Sequence, residues 1–396
     1  MKLLIYSHYF APSIGGVETI VGSLSDGLAE RRTPAGGPEF EVTLITQTPA
    51  GSFDDKTLPF AIVRNPGFAR LFRLIRASDV VHLAGPSLIP LALALLLRTP
   101  VIVEHHGYQA ICPNGLLFLQ PQRIVCPGHF QAGRYLDCIR CQSHKMPVAK
   151  AVQTVLITGV RNGLCRMASV NIAITHHVLE RHGLPRSEVV YYGIRDAPLL
   201  PEKISSASPP ASRLSIAFVG RFVEEKGLHI LLEAARKLRD MGREFDLLLV
   251  GDGPERASLE SRIAALSLSS CVRITGFVSG EALRENLRGI NAVVMPSIWE
   301  ETAGLAAIEQ MMRGGLVIAS AIGGLREVVG DAGLTCRPGD AESLAQCILR
   351  VLDDLSLIEK YGRPARARAS SIFGRDRMLE AHAQIYHRVH AEPPCG

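Results

Sequence analysis

A regular alternation of apolar strand patterns and helix patterns from Leu214 onward most constrains the fold of this chain. Short apolar runs such as SIAFVG, FDLLLVG and LVIAS alternate with segments whose apolar residues recur at helical spacing, for example 228–241 and 255–265. Such alternation predicts a parallel sheet covered by helices on both faces. The first half of the chain repeats the pattern more loosely, with strands predicted at KLLIY, EVTLIT, DVVHL, VIVEH and VNIAI.

Two halves of this kind predict two doubly wound, Rossmann-like α/β domains. Such domains bind ligands at the carboxyl ends of their strands, so we expect them to face each other across a ligand-binding cleft. A length of 396 residues, with 47% hydrophobic and 20% charged residues, suits two globular domains. The predicted boundaries are an N-terminal domain over 1–196, a Pro- and Ser-rich linker over 197–213, a C-terminal domain over 214–373 and a final helix over 374–396 that crosses back to the N-terminal domain.

Composition and charge exclude several classes of protein. The formal net charge of +5 argues against general nucleic-acid binding but permits contact with an anionic membrane or a phosphorylated ligand. Nine cysteines and an opening segment without a signal-peptide core argue against a disulfide framework. The longest apolar run, 88–97, contains Pro90 and is about half as long as a membrane span. We therefore expect a cytoplasmic protein, and contact with the inner face of the membrane stays open.

The segment WEETAGLAAIEQ follows the predicted strand NAVVMPS, and within it two carboxylates, Glu301 and Glu309, flank a small and apolar stretch that contains a glycine. Glu301 is predicted in the loop after that strand, whereas Glu309 is predicted in the second turn of a helix that starts near Gly304. A loop carboxylate and a helix carboxylate can converge on one bound ligand. The alternative is a pair of solvated surface glutamates.

Two cations stand beside a predicted helix amino terminus in GRFVEEKG, directly after the strand SIAFV. Arg221 and Lys226 flank an acidic pair, and Gly227 opens the helix. Full charges, exposed amides and the helix dipole could together bind a diphosphate there. The alternative is a surface turn with solvated charges.

Glycines follow two further strands. VGDGPE contains only a G-x-G and lacks the third glycine of a dinucleotide-binding fingerprint, because Arg256 stands in its place. IGGLREVVG places Gly323 and Gly324 after another strand, where they would permit close approach of the backbone to a ligand.

In this order, these segments resemble the retaining nucleotide-sugar glycosyltransferases of family 4, which have the GT-B fold. The resemblance spans nearly the whole chain and is most specific in the second domain, with G-R-x4-K-G, V-G-D-G-P, G-F-V, P-S-x3-E-x7-E and G-G-x-x-E at the family's spacings. It implies transfer of a hexose from a UDP- or GDP-sugar to a hydroxyl of a glycan or lipid-linked acceptor. The implied pathway is cell-surface polysaccharide biosynthesis, with no metal cofactor for catalysis and no nucleic-acid partner.

The resemblance also implies roles for individual residues. Glu309 would accept hydrogen bonds from the two ribose hydroxyls, and Glu301 would accept from hydroxyls of the transferred sugar. Arg221 and Lys226 would stabilise the departing diphosphate in place of a divalent metal. His106 in VIVEHHGYQ is predicted at a strand end, is followed by glycine and matches the family's active-site histidine. The other implied donor-binding residues are Gly15, Gly16, Gly220, Gly251, Gly276, Phe277, Val278, Thr302, Ala303, Gly304 and Leu305.

Three details leave alternatives open. His105 competes with His106, and only one of them should point into the cleft, because neighbours on a strand face opposite sides. Family members commonly have Glu-Pro-Phe-Gly or Glu-Ser-Phe-Gly where this chain has Glu-Thr-Ala-Gly at 301–304, so we expect a roomier pocket beside the sugar. The family's usual Asn-Gly-Ile-Asp turn is replaced by Tyr-Gly-Ile-Arg at 192–195.

A cysteine-rich insert, 107–148, follows His106 and is expected to shape acceptor recognition. Its spacing, C-x13-C-x11-C-x2-C, predicts a structural zinc site, because four thiolates form a closed tetrahedral shell. The alternatives are free buried thiols and a redox pair formed by the last two cysteines. The four residues are Cys112, Cys126, Cys138 and Cys141.

Two basic and apolar helix patterns, 145–166 and 68–76, could rest on an anionic membrane that carries a lipid-linked acceptor. The alternative is ordinary packing of each helix on its own sheet. For the protein as a whole, the rivals to a glycosyltransferase are a nucleotide-sugar epimerase of the same double fold and a non-catalytic nucleotide-sugar-binding or scaffold protein. A dehydrogenase would need the glycine fingerprint that is absent here.

Overall fold

The computed structural model describes residues 1–120, 122–196 and 214–392. These residues form two compact units. Unit 1 comprises 1–120, 126–195 and 372–392, and unit 2 comprises 122–125, 196 and 214–371. The predicted linker over 197–213 lies outside the described residues.

The elements before the linker alternate between strands and helices. They are β1 (Lys2–Ser7), α1 (Gly16–Glu30), β2 (Glu41–Thr46), β3 (Ala61–Arg64), α2 (Phe68–Arg76), β4 (Val80–Ala84), α3 (Leu88–Leu96), β5 (Val101–His105), β6 (Phe118–Leu119), β7 (Ile124–Val125), α4 (Tyr135–Ser143), α5 (Val148–Cys165), β8 (Val170–Ala173), α6 (His176–His182) and β9 (Ser187–Val189). The main sheet of unit 1 is parallel and has the order β3-β2-β1-β4-β5-β8-β9.

Unit 2 repeats this plan. Its elements are β10 (Leu214–Val219), α7 (Leu228–Asp240), β11 (Phe245–Val250), α8 (Arg256–Ala265), β12 (Val272–Gly276), α9 (Gly280–Asn286), β13 (Ala292–Met295), α10 (Leu305–Met312), β14 (Leu316–Ser320), α11 (Gly323–Val329), β15 (Leu334–Cys336), α12 (Ala341–Asp353) and α13 (Ser356–Ile372). The sheet is parallel, with the order β12-β11-β10-β13-β14-β15.

The last helix, α14 (Arg375–Ala391), belongs to unit 1 although it follows unit 2 in the chain. It packs against α1, and the Arg375 guanidinium donates to the Ser23 carbonyl at 3.2 Å. Its buried face includes Met378, His382 and Tyr386. Unit 1 therefore combines residues from both ends of the chain.

The central strands are mostly continuous apolar runs in the sequence because both faces of each sheet are buried. All residues of β5, β13 and β14 are buried, as helices cover both sides of a parallel sheet. The core of unit 2 includes residues of β10, β11 and α7, among them the fully buried Phe218, Leu231 and Phe245. The predicted fold class, two doubly wound α/β domains of the GT-B type, is confirmed.

The strand order of both sheets places an open crevice at an equivalent point. In unit 1 the order reverses between β1 and β4, and in unit 2 it reverses between β10 and β13. Loops that leave such neighbouring strands run to opposite faces of the sheet, so ligands bind between them. Within the described parts of the chain, no helix combines the length and the hydropathy that a membrane crossing requires.

Candidate functional site

The loops after β10 and β13 contact each other at the strand-order reversal of unit 2. Gly227 has a positive φ of 68°, and a Cβ at this position would lie 2.1 Å from the Pro296 carbonyl oxygen. The Ile298 amide donates to the Glu225 carbonyl oxygen at 3.0 Å. Only glycine fits this contact, because any side chain would separate the two loops.

This contact brings together Lys226 and Glu301, two of the predicted catalytic residues. Lys226 Nζ lies 2.5 Å from Glu301 Oε1, and the Ser297 hydroxyl donates to the same oxygen at 2.7 Å. The ammonium group also lies 5.8 Å from the centre of the Trp299 ring. Glu301 is only 4% exposed, so its carboxylate needs these partners to remain buried.

The loop that carries Glu301 is also fixed by α11. The Gly324 amide donates to the Glu301 carbonyl oxygen at 2.7 Å. A Cβ on Gly323 would lie 2.6 Å from that oxygen. The close backbone approach predicted for these two glycines is therefore an approach to the protein's own loop.

Glu301 and Glu309 lie in different elements, as predicted. Glu301 is in the loop after β13, while Glu309 is in the second turn of α10, which starts at Leu305 after Gly304. Glu309 is half-buried, and this burial raises the pKa of its carboxyl above the usual range, with Arg313 opposing the shift. Thr302 and Ala303, the intervening predicted residues, are buried.

Three predicted glycines join the carboxyl ends of β10, β11 and β12. The Gly251 amide donates to the Gly276 carbonyl oxygen at 3.0 Å, and a Cβ on Gly251 would lie 1.9 Å from the Gly220 carbonyl oxygen. Arg221, directly after Gly220, is exposed. After Gly276, Phe277 is 58% exposed and Val278 is half-buried.

In unit 1, the loop after β1 leads into α1 at Gly16, with Gly15 immediately before the helix. The carboxylate of Glu18, in the first turn of α1, accepts a hydrogen bond from the Ser13 hydroxyl at 3.1 Å. Pattern analysis predicted the two glycines and the helix but gave no role to Glu18.

His105 and His106 have different neighbours, as the alternation along a strand requires. His105 Nε2 lies 2.9 Å from Asn171 Oδ1, and burial lowers the pKa of His105 to about 4. His106 Nδ1 lies 2.8 Å from the Tyr192 hydroxyl, and its Nε2 lies 3.7 Å from Glu104 Oε2. Burial lowers the pKa of His106, although the charge of Glu104 opposes the shift.

Glu104 is the centre of a buried polar cluster that sequence reasoning missed. Its Oε2 lies 3.1 Å from His82 Nε2 and 3.6 Å from His382 Nε2, and the Tyr386 hydroxyl lies 3.0 Å from His82 Nδ1. Burial alone would raise the pKa of Glu104, but the neighbouring histidines, His106 foremost, hold this pKa well below its usual range. These residues are far apart in sequence, so no local spacing signals the cluster.

The four cysteines of the insert are free thiols; three are buried, and Cys141 is half-buried. Burial, together with the neighbouring Cys112, Cys126 and Cys141, raises the pKa of Cys138 to about 12. Among the described residues, the only grouping of three or more potential metal ligands within 4.8 Å is His82, Glu104 and His382. The thiols do not reach that spacing, and the zinc site at the insert stays a prediction.

The fold defines a class of protein with two Rossmann-like units of the GT-B type, and similarity to known proteins identifies the family within that class. Residues 202–368 match the family model of glycosyl transferases group 1. The chain is 31% identical to a glycogen synthase of Mycobacterium tuberculosis over 410 aligned positions, which cover 98% of the chain and 94% of that relative. The chain therefore belongs to the group 1 glycosyl transferases. This assignment does not favour the epimerase and scaffold alternatives.

Other similarities are partial or structural. A 2-deoxystreptamine glucosyltransferase of Streptomyces kanamyceticus is 37% identical over 161 residues, which cover 40% of the chain and only 41% of that relative. The crystal structure of Anabaena HepE in complex with UDP and glucose superposes with a TM-score of 0.72 at 19% identity, covering 98% of this chain and 100% of that one. Sucrose-phosphate synthase from Thermosynechococcus elongatus also has a TM-score of 0.72, at 20% identity, covering 98% of this chain and 99% of that one.

Proposed function

We propose that the protein is a retaining hexosyltransferase that moves a sugar from a nucleoside-diphosphate donor to a hydroxyl of a glycan or lipid-linked acceptor, in cell-surface polysaccharide biosynthesis. The observation that carries the proposal is the Lys226–Glu301 ion pair at the carboxyl ends of β10 and β13. It places a cation and a buried carboxylate where a doubly wound fold binds nucleotides.

Among donors, we propose a UDP-sugar ahead of a GDP-sugar. Structures of Anabaena HepE with UDP and with UDP-glucose support this choice, and three relatives are named as transferases of glucose, kanosamine and N-acetyl-D-glucosamine. Glu309 is assigned to the ribose, because one carboxylate can accept hydrogen bonds from two neighbouring hydroxyls.

The reaction breaks the bond between C1 of the sugar and the diphosphate oxygen and forms a bond from C1 to the acceptor oxygen on the same face. The acceptor proton passes to the leaving diphosphate. Arg221 and Lys226 would neutralise the charge that develops on that diphosphate, so no metal is needed for this step. Lys226 and Ser297 both donate to Glu301 Oε1, and we assign Oε2 as the acceptor for a sugar hydroxyl.

His106 is assigned to the transferred sugar and the reacting centre. Its Nδ1 is held by the Tyr192 hydroxyl, which fixes the orientation of the ring. The lowered pKa of His106 keeps the ring neutral near pH 7, so it adds no positive charge beside the transferred sugar.

Nucleotide binding tests this proposal. Wild-type protein is titrated calorimetrically with UDP, GDP, ADP and their sugar conjugates in EDTA, alongside Glu309→Ala, Arg221→Ala and the matched control Arg363→Ala, an exposed arginine on α13. We expect one nucleotide to bind in EDTA, with affinity lost in the first two variants and kept in the control. If no nucleotide binds to wild-type protein, the proposal is wrong.

For the acceptor, we propose that unit 1 contacts an anionic membrane through α5. The apolar residues Val148, Val152, Leu156 and Val160 are all exposed and recur every fourth residue, which places them on one face of the helix. Residues 148–165 contain no Asp or Glu. Helix α2 adds the exposed Arg70, Arg73 and Arg76. An exposed apolar helix face, together with exposed basic residues elsewhere in unit 1, matches the anionic surface of a bilayer.

Vesicle co-sedimentation at low salt tests this contact. We expect binding to phosphatidylglycerol vesicles but not to phosphatidylcholine vesicles, and loss of binding in Val152→Glu/Leu156→Glu. Met241→Glu, at an exposed apolar position of unit 2, serves as the control. Equal sedimentation of the double variant and the control would contradict the assignment of this face.

We also propose that the insert binds zinc through its four cysteines. Cys112 Sγ now donates to Asn114 Oδ1 at 3.0 Å, and Cys141 Sγ lies 4.0 Å from Asn114 Nδ2, so metal binding would replace these contacts. Binding would also deprotonate the thiols. Zinc content that is the same in wild-type protein and in Cys138→Ser/Cys141→Ser would contradict this assignment.

A further inference from the structure

We propose that His82, Glu104 and His382 form a second metal site inside unit 1, suited to a zinc-like divalent ion. Their ligand atoms all lie within 4.8 Å of one another. The side chains of all three residues are fully buried. Two imidazoles and one carboxylate form a ligand set that zinc accepts in proteins.

The distances fit an ion at the centre of the group. Zinc bonds of about 2.0–2.1 Å in a tetrahedral arrangement separate neighbouring ligand atoms by about 3.4 Å. Glu104 Oε2 lies 3.1 Å from His82 Nε2 and 3.6 Å from His382 Nε2. An ion could therefore enter with small side-chain movements.

The hydrogen bonds of His382 support a cation at this place. Its Nδ1 lies 2.9 Å from the Met378 carbonyl oxygen, and because a carbonyl only accepts, Nδ1 must carry a proton. In a neutral ring, Nε2 then presents a lone pair to the Glu104 carboxylate, and these two groups repel each other. Nε2 is buried without a hydrogen-bond partner among the described residues. A metal ion between the two groups turns this repulsion into two bonds.

The outer contacts match those of metal-binding histidines, which are usually anchored through the second ring nitrogen. His382 is anchored by the Met378 carbonyl, and His82 Nδ1 lies 3.0 Å from the Tyr386 hydroxyl. Both Nε2 atoms therefore point towards Glu104.

Glu104 has spare capacity for a metal as well. Its Oε1 is buried and has no hydrogen-bond partner among the described residues. A buried carboxylate oxygen without a partner is costly, and coordination through both oxygens would remove that cost. The simplest rival is a proton shared between Glu104 and the histidines, with no ion.

An ion here would join β4, β5 and α14, so we assign it a structural role within unit 1. The proposed transfer reaction uses no metal at the diphosphate. Loss of metal from this site and loss of nucleotide binding are therefore measured separately. The metal content can be determined whether or not the protein is active.

Metal analysis of the full-length protein tests the site. The protein is purified from zinc-supplemented medium, dialysed, and analysed by plasma mass spectrometry as wild type, Glu104→Gln, His382→Gln and Cys138→Ser/Cys141→Ser. His387→Gln, an exposed histidine on the same helix, is the matched control. We expect the double cysteine variant to retain one zinc per chain and His387→Gln to retain as much zinc as the wild type. Glu104→Gln and His382→Gln should each contain one zinc per chain less than the wild type.

Cobalt substitution keeps the test decisive if the cluster variants do not fold. We expect Co²⁺ added to apo Cys138→Ser/Cys141→Ser to give visible bands of a four- or five-coordinate nitrogen and oxygen site, without the strong near-ultraviolet band of thiolate ligands. If this variant holds no zinc and gives no such cobalt spectrum, the proposal is overturned and the cluster is a proton-sharing network.

Discussion

Units 1 and 2 share a strand order but assemble their polar groups differently at the carboxyl ends of the strands. In unit 2, Lys226 and Glu301 come from two loops held together by backbone contacts at Gly227. In unit 1, Glu104 is surrounded by side chains from β4 and α14, and His106 of the same segment is held by Tyr192. The polar groups of unit 2 are positioned by the contact between two loops, whereas those of unit 1 are positioned by packing between elements that are distant in sequence.

Exposure separates the two regions as well. The Lys226 side chain is 21% exposed and Arg221 is exposed, so unit 2 keeps positive charge accessible to a ligand. The side chains of Glu104, His82 and His382 are 0% exposed. Under the proposed function, the charges of unit 2 act on a ligand, while those of the Glu104 cluster act on the stability of unit 1.

The largest expected effect concerns turnover. Lys226→Ala removes the cation beside the proposed diphosphate position and leaves the buried Glu301 without its ion-pair partner. We expect kcat to fall by about 10²–10³-fold, as for removal of one group that stabilises transition-state charge. Steady-state assays with the selected donor measure the change. Lys237→Ala, an exposed lysine of α7 paired with Glu342, is the control. A loss below about threefold in Lys226→Ala would remove the pair from the mechanism.

The next effect tests the contact between the loops. Gly227→Ala places a methyl group 2.1 Å from the Pro296 carbonyl oxygen, whereas Gly242→Ala, at a similar φ of 72°, meets nothing within 4 Å. Both substitutions strain the backbone by about 1 kcal/mol or more. We expect Gly227→Ala to lower the free energy of unfolding by about 1–3 kcal/mol beyond Gly242→Ala. Urea denaturation measures the free energy of unfolding of both variants. Equal losses of stability would show that the two loops can move apart at little cost.

A smaller effect is expected in unit 1. Tyr386→Phe removes the hydroxyl that bonds His82 Nδ1 in the buried cluster. We expect a loss of about 1–3 kcal/mol in the free energy of unfolding, because a buried polar atom loses its partner. Tyr135→Phe, at a 50% exposed position, should change little. Calorimetric titration should give unchanged nucleotide affinity in Tyr386→Phe, and a large change would contradict the division of roles between the units.

The smallest effect is a pH dependence in unit 2. Because burial raises the pKa of Glu309, its carboxyl in the free protein becomes protonated at a higher pH than an ordinary glutamate. The proposed bond to the ribose needs the ionised form. Donor affinity should therefore fall as the pH is lowered through the raised pKa, by at most about tenfold per pH unit.

UDP-glucose is the suitable ligand for this titration, since a terminal phosphate monoester would itself titrate near pH 6, with a pKa of about 6. The slope should be absent in Glu309→Gln. An equal slope in wild type and variant would assign the pH dependence to another group.

The contrast between the units also explains what the sequence could predict. The strands β10 to β14 and the placement of Glu301 and Glu309 follow from local periodicity, and the structure confirms them. Five short strands were missed, β3, β6, β7, β9 and β15, because runs of two to four residues carry little periodic signal. The Glu104 cluster was missed for a different reason. Its members become neighbours only when α14 packs on the sheet, and no spacing along the chain encodes that contact.

The cysteine-rich insert shows that closeness in sequence does not by itself predict the distances between side chains. Cys138 and Cys141 are close in sequence and both lie on α4, yet the four thiols do not form a group within 4.8 Å. Closeness along the chain did not determine where the sulfur atoms point. The position of His106 at the end of a strand could be predicted from the sequence, and its role stays a prediction. Its partner Tyr192 could not be predicted, because the two residues are separated by 86 positions.

The position of α14 has a consequence for how the protein is made. On the ribosome, β4 and β5 emerge early, but His382 and Tyr386 emerge only after the whole of unit 2. During most of translation, Glu104 and His82 therefore lack the helix that covers them. Apart from 122–125, unit 2 is contiguous along the chain and can fold during synthesis, since domains generally fold as units. Unit 1 begins before unit 2 and is completed after it, so its core stays incomplete for the longest part of synthesis.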